Sequence, residues 1–231
     1  SMETENEFSF NINSNRLIKD LNLKSSLKFD ELYFNKKYQD LIYLEDGVIE
    51  TEYSNNNLSV QILSKYSFIE DESKNVVNDK NDLNLYIVKK NNENIEVKGS
   101  LRNNKKTIDP KVLFELAKIE SDLLSDEKIT IETDNKFAFQ IDEKQNVKDF
   151  SINSNLKFDE LYFNKKYQDL IYLEDGVIET EYSNNNLSVQ ILSKYSFIED
   201  ESKNVVNDKN DLNLYIVKKN NENIEVKGSL S

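Results

Sequence analysis

The chain contains one long block of sequence twice, with no substitution between the copies. Residues 27–101 return unchanged as residues 156–230, which makes a 75-residue block at an offset of 129 positions. The segments before each block, 3–26 and 132–155, align at the same offset with 9 of 24 positions identical. Self-similarity at a fixed period indicates tandem repeats. The predicted units are a first repeat, residues 1–129, and a second, truncated repeat, residues 130–231.

Alternation of apolar and polar residues dominates both copies and predicts β-strands. In residues 7–13 every second residue is apolar, and the second copy keeps these apolar residues while the polar ones between them change. This difference is expected of strands with one buried face. We predict about eight short antiparallel strands over residues 3–101, and only strands in the second unit.

Two short polar segments predict hairpin turns, and one longer segment predicts a helix. Asp46 and Gly47 lie between two apolar runs, and this dipeptide suits a two-residue turn whose central residues have positive φ. The asparagines of residues 55–57 predict another turn. Pro110 is typical of the first helical position, and the apolar stripe that follows predicts one short α-helix over residues 110–125.

The predicted sheet has more apolar surface than one short helix can cover. About eight strands at ~4.8 Å spacing make a sheet roughly 40 Å wide, whereas a helix of this length is about 24 Å long and 10 Å across. The sheet can fold over into a sandwich, or curl into a groove whose lining binds a ligand. We therefore predict a mainly β fold: an elongated antiparallel β-sheet curled into a groove or sandwich, with one short α-helix.

Composition excludes several classes of function. The chain has no Cys and no His, which removes disulfides, thiolate zinc sites and Ser-His-Asp catalysis. A net charge of −13 disfavours nucleic acids and anionic lipid head groups as partners. No apolar run could span a membrane and no signal peptide is recognisable, so we expect a fragment without the signal or anchor of its parent. We predict no enzyme activity, no catalytic residues, no cofactor, no metal and no nucleic-acid partner.

The phrases INSNLKFDELYFN, DLIYLEDGVIETEYSNNNLSVQIL and NENIEVKGSL describe short strands joined by tight polar turns. This pattern covers nearly the whole chain and resembles the AsmA-like, TamB-type proteins, and also the shorter lipopolysaccharide-transport bridges. TamB-type proteins form a groove-like sheet that bridges the two bacterial membranes and conducts phospholipids. The resemblance implies a bridge-like lipid-transport protein of the periplasm or cell envelope, with a phospholipid or other acyl-chain ligand.

The lining of such a groove would be the apolar face of the strands. The alternative is that the same side chains form an ordinary hydrophobic core. The lipid-groove candidates of both copies are Phe8, Phe10, Ile12, Phe29, Leu58, Val60, Ile62, Leu85, Ile87, Ile95, Val97, Phe137, Phe139, Ile141, Phe158, Leu187, Val189, Ile191, Leu214, Ile216, Ile224 and Val226.

Acidic clusters have plainer explanations than catalysis or ion binding. The carboxylates of residues 30–31 and 45–46 are neighbours on strands, so they point to opposite faces, which does not suit a glycosidase pair. The segments 70–72 and 78–82 offer oxygen ligands but lack the spacing of a Ca²⁺ loop. We expect them to be solvated loops.

We interpret the chain as a non-enzymatic lipid-binding bridge fragment that carries acyl chains in an apolar β-groove. The alternative is a repetitive cell-surface adhesin or binding module with closed β-sandwich repeats, whose identical units raise avidity. Separately folded modules need flexible linkers near residues 103–107 and 153–155, whereas a bridge needs continuous sheet there. Under either interpretation, identical strands make self-association through sheet edges an expected hazard.

Overall fold

The structure, a computed structural model, describes residues 1–33, 42–68, 81–90, 93–109, 127–162, 172–196, 210–220 and 223–231. Within these ranges the chain forms twelve β-strands and no helix. The strands are β1 (Met2–Ile12), β2 (Ile18–Tyr33), β3 (Ile42–Ser54), β4 (Asn57–Phe68), β5 (Asn81–Lys89), β6 (Ile95–Ile108), β7 (Ile129–Ile141), β8 (Val147–Tyr162), β9 (Tyr172–Ser183), β10 (Asn186–Ser196), β11 (Asn210–Lys218) and β12 (Glu225–Leu230).

Each strand is hydrogen-bonded to the strands that precede and follow it in the chain. The described strands therefore form one open, twelve-stranded antiparallel sheet in sequence order, whose outer strands are β1 and β12. This confirms the prediction of a mainly β, antiparallel fold. The predicted helix over residues 110–125 lies outside the described residues.

The described strands are fewer and longer than the sequence suggested. The described residues of the first copy form six strands where about eight were expected. One reason is that β2 runs through sixteen residues in which no Gly or Pro interrupts the ladder. The other is that β3 continues through Asp46 and Gly47, so the prediction of a hairpin turn there is wrong.

Asp46 and Gly47 form a β-bulge inside β3. The register shifts at this point, so that these two residues face Ser64 alone on β4. Asp46 has a φ of 46°, and Asp175 repeats it with 48°. The Ser64 hydroxyl donates a hydrogen bond to the Glu45 carbonyl oxygen at 2.9 Å. The positive φ of Asp46 therefore belongs to a β-bulge. A bulge of this kind needs a residue with positive φ, as the predicted hairpin turn does.

Gly47 lies directly opposite Phe29 on β2, and the Phe29 ring covers it. A Cβ at Gly47 would lie only 2.1 Å from Cζ of this ring. The second copy repeats the arrangement, with a Cβ at Gly176 1.9 Å from Cζ of Phe158. Neither glycine has positive φ. These glycines are needed for the close approach of a ring, rather than for backbone freedom.

The predicted turn within residues 55–57 is confirmed. Asn55 and Asn56 have φ values of 50° and 62° and connect β3 to β4. Positive φ at both central residues is the requirement of a type I′ hairpin turn, and Asn tolerates it better than most residues. The Tyr53 hydroxyl donates a hydrogen bond to Asn56 Oδ1 at 3.0 Å, which ties the turn to the preceding strand.

The chain separates into two compact units that do not follow the repeat boundaries. The first comprises Ser1–Arg102 and Lys136–Ser151, and the second comprises Asn103–Asn135 and Ile152–Ser231. Strands β6, β7 and β8 contribute residues to both units. The repeat boundary at residue 129 stays a prediction from the sequence.

Each compact unit has its own buried hydrophobic cluster, built from equivalent positions of the repeat. Full burial of a large apolar side chain contributes about 1.5–3 kcal/mol. These clusters therefore stabilise each unit beyond its backbone hydrogen bonds. The first cluster is Phe29, Leu44 and Tyr66, and the second is Phe158, Leu173 and Tyr195 with Ile129 and Ile131.

The turn between β7 and β8 is closed by the carboxylate of Asp142. Its Oδ1 accepts hydrogen bonds from the backbone N–H groups of Lys144 and Asn146, both at 2.9 Å. Lys148 Nζ lies 3.0 Å from Oδ2. These contacts, the Asn146 N–H first, lower the pKa of Asp142 to about 2. In the first copy, Asn13 accepts the two equivalent backbone hydrogen bonds at 3.0 and 2.9 Å.

Replacing Gly47 with Ala should destabilise the protein, because the new Cβ displaces the buried Phe29 ring. We expect the free energy of unfolding in urea to fall by about 1–3 kcal/mol, as for other overpacked cores. Gly228→Ala is the matched control. Among the described residues, a Cβ there meets only the Leu214 side chain at 3.2 Å and the Asn213 carbonyl oxygen at 3.3 Å. Equal unfolding free energies for the two variants would contradict the role given to the ring.

The Asp142 turn should weaken only in strong acid. Because the native pKa of about 2 lies below the ordinary value of about 3.9, the stabilising effect is complete above about pH 4 and is lost as the pH falls through 2. An NMR titration should give a carboxyl pKa near 2. Asp142→Asn, which copies Asn13, should remove the pH dependence contributed by this turn. A measured pKa near 3.9 would show that the hydrogen bonds do not persist in solution.

Candidate functional site

Apolar residues of consecutive strands line up across the sheet. Val60 on β4 lies opposite Ile87 on β5, which in turn lies opposite Val97 on β6. Two residues along β4, Ile62 lies opposite Leu85. Directly opposed residues place their side chains on the same side of a sheet. We define the apolar face by these positions and their neighbours: Leu58, Val60, Ile62, Leu85, Ile87, Ile95 and Val97.

The second copy pairs its residues in the same register. The pairs of β10 with β11 are those of β4 with β5 moved by 129 positions. The identical sequence therefore presents the same apolar side chains on one side of its strands. The equivalent pairs are Leu187 with Lys218, Val189 with Ile216, Ile191 with Leu214, and Ile216 with Val226.

The predicted groove candidates differ in exposure. Those on interior strands are buried or half-buried, whereas the exposed ones lie on or next to the outer strands. The buried candidates are Phe29, Val97 and Phe158. The half-buried candidates are Leu58, Val60, Ile62, Leu85, Ile87, Ile95, Phe137, Phe139, Ile141, Leu187, Val189, Ile191, Leu214 and Ile216. The exposed candidates are Phe8, Phe10, Ile12, Ile224 and Val226.

The opposite face of the first unit is polar and contains a concavity of about 500 Å³ that sequence reasoning missed. Lys24 Nζ lies 3.1 Å from Glu52 Oε1, and the hydrogen bond with this carboxylate raises the pKa of Lys24. The signal in the sequence is the spacing of acidic residues at alternate positions on β1 and β3. The concavity is lined by Glu5, Glu7, Lys24, Ser26, Glu50, Glu52, Ser59, Gln61 and Tyr86, among others.

One of the acidic clusters singled out in the sequence, residues 30–31, lies on β2 next to the N-terminus. Asp30 accepts hydrogen bonds from the Ser1 hydroxyl and amino groups, at 2.7 and 2.9 Å, and these lower the pKa of Asp30. Across the described ranges, no group of three or more acidic residues could hold a metal ion. In the same ranges no helix has the length and apolarity to cross a membrane. Residues 70–72 and 78–80 of the Ca²⁺ alternative lie outside the described residues.

Comparison with known proteins gives no relative from which function could be transferred. The resemblance to AsmA-like, TamB-type proteins therefore stays a prediction from the sequence pattern. No protein-family model matches this chain, and neither a curated protein nor a solved structure does.

Proposed function

We propose that this chain binds acyl chains along the apolar face of its sheet, as a non-enzymatic part of a lipid-transport bridge in the bacterial envelope. The observation that carries the proposal is the apolar face itself, whose side chains on three adjacent strands of an open sheet are half-buried, except for the buried Val97. The other side of the same strands is polar and can face water. The ligand is a phospholipid or another molecule with an acyl chain.

Continuity of the strands supports a bridge rather than a series of closed modules. Residues 103–107 lie inside β6, and residues 153–155 lie inside β8. These are the two places where separately folded adhesin modules would need flexible linkers. Both places are strand rather than loop, which is what the bridge hypothesis expects.

Hydrophobic burial supplies the free energy of binding in this proposal. Each methylene of an acyl chain that leaves water contributes about 0.8 kcal/mol, and half-buried side chains beneath it lose their remaining exposure. The head group stays in water at the margin of the sheet. A net charge of −13 disfavours anionic head groups close to the protein. We therefore expect zwitterionic phospholipids to bind better than anionic ones with the same acyl chains.

Carboxylates placed on the apolar face should abolish lipid binding. Wild-type protein should carry phospholipid that native mass spectrometry detects and solvent extraction releases. The variant with Val60, Ile62, Val189 and Ile191 all changed to Asp should lose it, because an acyl chain would have to desolvate four carboxylates.

The matched control carries the same four charges on the polar side of the same strands. In it, Ser59, Gln61, Ser188 and Gln190 become Asp, and lipid should be retained. Circular dichroism and urea unfolding of both variants separate loss of binding from loss of folding. Wild-type protein that is free of lipid and takes up no added fluorescent phospholipid would contradict the proposal and favour the adhesin hypothesis.

A further inference from the structure

Identical residues differ in exposure between the inside and the edge of the sheet. Val97 on β6 is 5 % exposed, whereas its exact counterpart Val226 on β12 is 58 % exposed. Likewise Phe137 on β7 is half-buried, whereas Phe8, the equivalent residue on β1, is 70 % exposed. Strands β12 and β1 are the repeat equivalents of β6 and β7, which are neighbours in the sheet. The outer strands β12 and β1 are therefore equivalent to two strands, β6 and β7, that already pair with each other inside the sheet. We call the pairing of β6 with β7 the inner junction.

The inner junction shows how these strands fit together. The Phe137 ring lies over Gly99, and a Cβ at Gly99 would come within 2.4 Å of Cζ of that ring. Asn94, the residue before β6, donates a hydrogen bond from Nδ2 to Gln140 Oε1 on β7 at 3.1 Å. This is the arrangement of Phe29 over Gly47, where the two residues are directly opposed.

The outer strands carry the same two components, a glycine on β12 and an aromatic ring on β1, and neither is covered. Gly228, the counterpart of Gly99, is the one glycine over which no described aromatic ring lies. Phe8 and Phe10 on β1 are already stacked, with ring centroids 6.3 Å apart and planes 5° apart. The equivalent pair at the inner junction, Phe137 and Phe139, has the same 6.3 Å separation and a 16° angle. The edge rings therefore need little rearrangement to adopt the buried geometry.

We infer that β12 of one chain pairs antiparallel with β1 of a second copy, so that Phe8 of the second copy covers Gly228 of the first. Extending this register places Val226 opposite Phe10 and Ile224 opposite Ile12. In the 231-residue chain the contact joins two different strands, so it adds copies in a row rather than closing a dimer. This pairing involves no lipid, so its test is independent of the test of the proposed function.

Charge and strand length set the conditions for association. Each copy carries a net charge of −13, which repels a second copy at low ionic strength. In the inferred register Lys227 lies opposite Ser9 and diagonally next to Glu7, so no like charges oppose each other there. Because β12 has only six residues, the junction is shorter than its inner counterpart on the fourteen-residue β6. We therefore expect weak association that strengthens as salt screens the net charge.

Sedimentation velocity over a concentration series, at low and high salt, tests the inference. Wild-type protein should form concentration-dependent oligomers that increase with salt. Gly228→Ala should raise the dissociation constant roughly tenfold or more, equivalent to about 1.4 kcal/mol, because the new Cβ occupies the place of the Phe8 ring. Ser229→Ala, on the same strand but the polar face, should associate like wild type. Monomeric wild type at all concentrations, or unchanged association of Gly228→Ala, would overturn the inference.

Disulfide trapping tests the direction of the contact, since the chain has no Cys of its own. Directly opposed residues in an antiparallel pair have Cα atoms about 4.5–5.5 Å apart, which a disulfide can bridge. A mixture of Val226→Cys and Phe10→Cys chains, one of them mass-labelled, should give mainly the mixed disulfide under mild oxidation. Equal or greater amounts of the two self-disulfides, or no disulfide at all, would overturn the head-to-tail pairing.

Discussion

Antiparallel hydrogen bonding between consecutive strands is the constraint on which the rest of the described structure depends. Every described strand pairs with its immediate neighbours in chain order, on both sides for β2 to β11 and on one side for the outer strands β1 and β12. A sheet of this kind gains its side-chain stability from contacts between adjacent strands on the same face. The contact of the Phe29 ring with Gly47 therefore stabilises the pairing of β2 with β3 and is also part of the buried hydrophobic cluster. The same contact between a ring and a glycine recurs in the second copy, at Phe158 and Gly176.

The sequence predicted those structural features that depend only on residues close together in the chain. Period-two alternation identified the apolar face, and the asparagines at residues 55 and 56 identified a turn, because both signals depend only on neighbours in the chain. The Asp46–Gly47 dipeptide misled because positive φ at the first residue suits a hairpin turn and a bulge equally. What decides between them is a residue on another strand. Gly47 leaves room for the Phe29 ring, and that contact requires β3 to continue past the bulge.

Exposure of the candidate site could not be predicted in the same way. Val97 and Val226 have identical sequence neighbours from residue 27 to 101 and from 156 to 230, yet one is buried and the other exposed. The difference comes from β7, which lies beside β6, whereas β12 is an outer strand. The polar concavity was missed for a related reason. Its lining comes from several strands, and only their register brings Glu5, Lys24 and Glu52 together.

The type I′ turn at Asn55 and Asn56 also bears on how two identical copies fold without exchanging strands. Strand β3 could pair with β10 as well as with β4, since β10 repeats the sequence of β4. A two-residue connection closes with a loop entropy cost lower by a few kcal/mol than a connection of well over a hundred residues. Hairpins of this kind form in microseconds, before distant segments meet. Short turns therefore give each strand a kinetic preference for its own neighbour, and a longer loop at Asn55 would weaken that preference by about 0.6 kcal/mol for each doubling of its length.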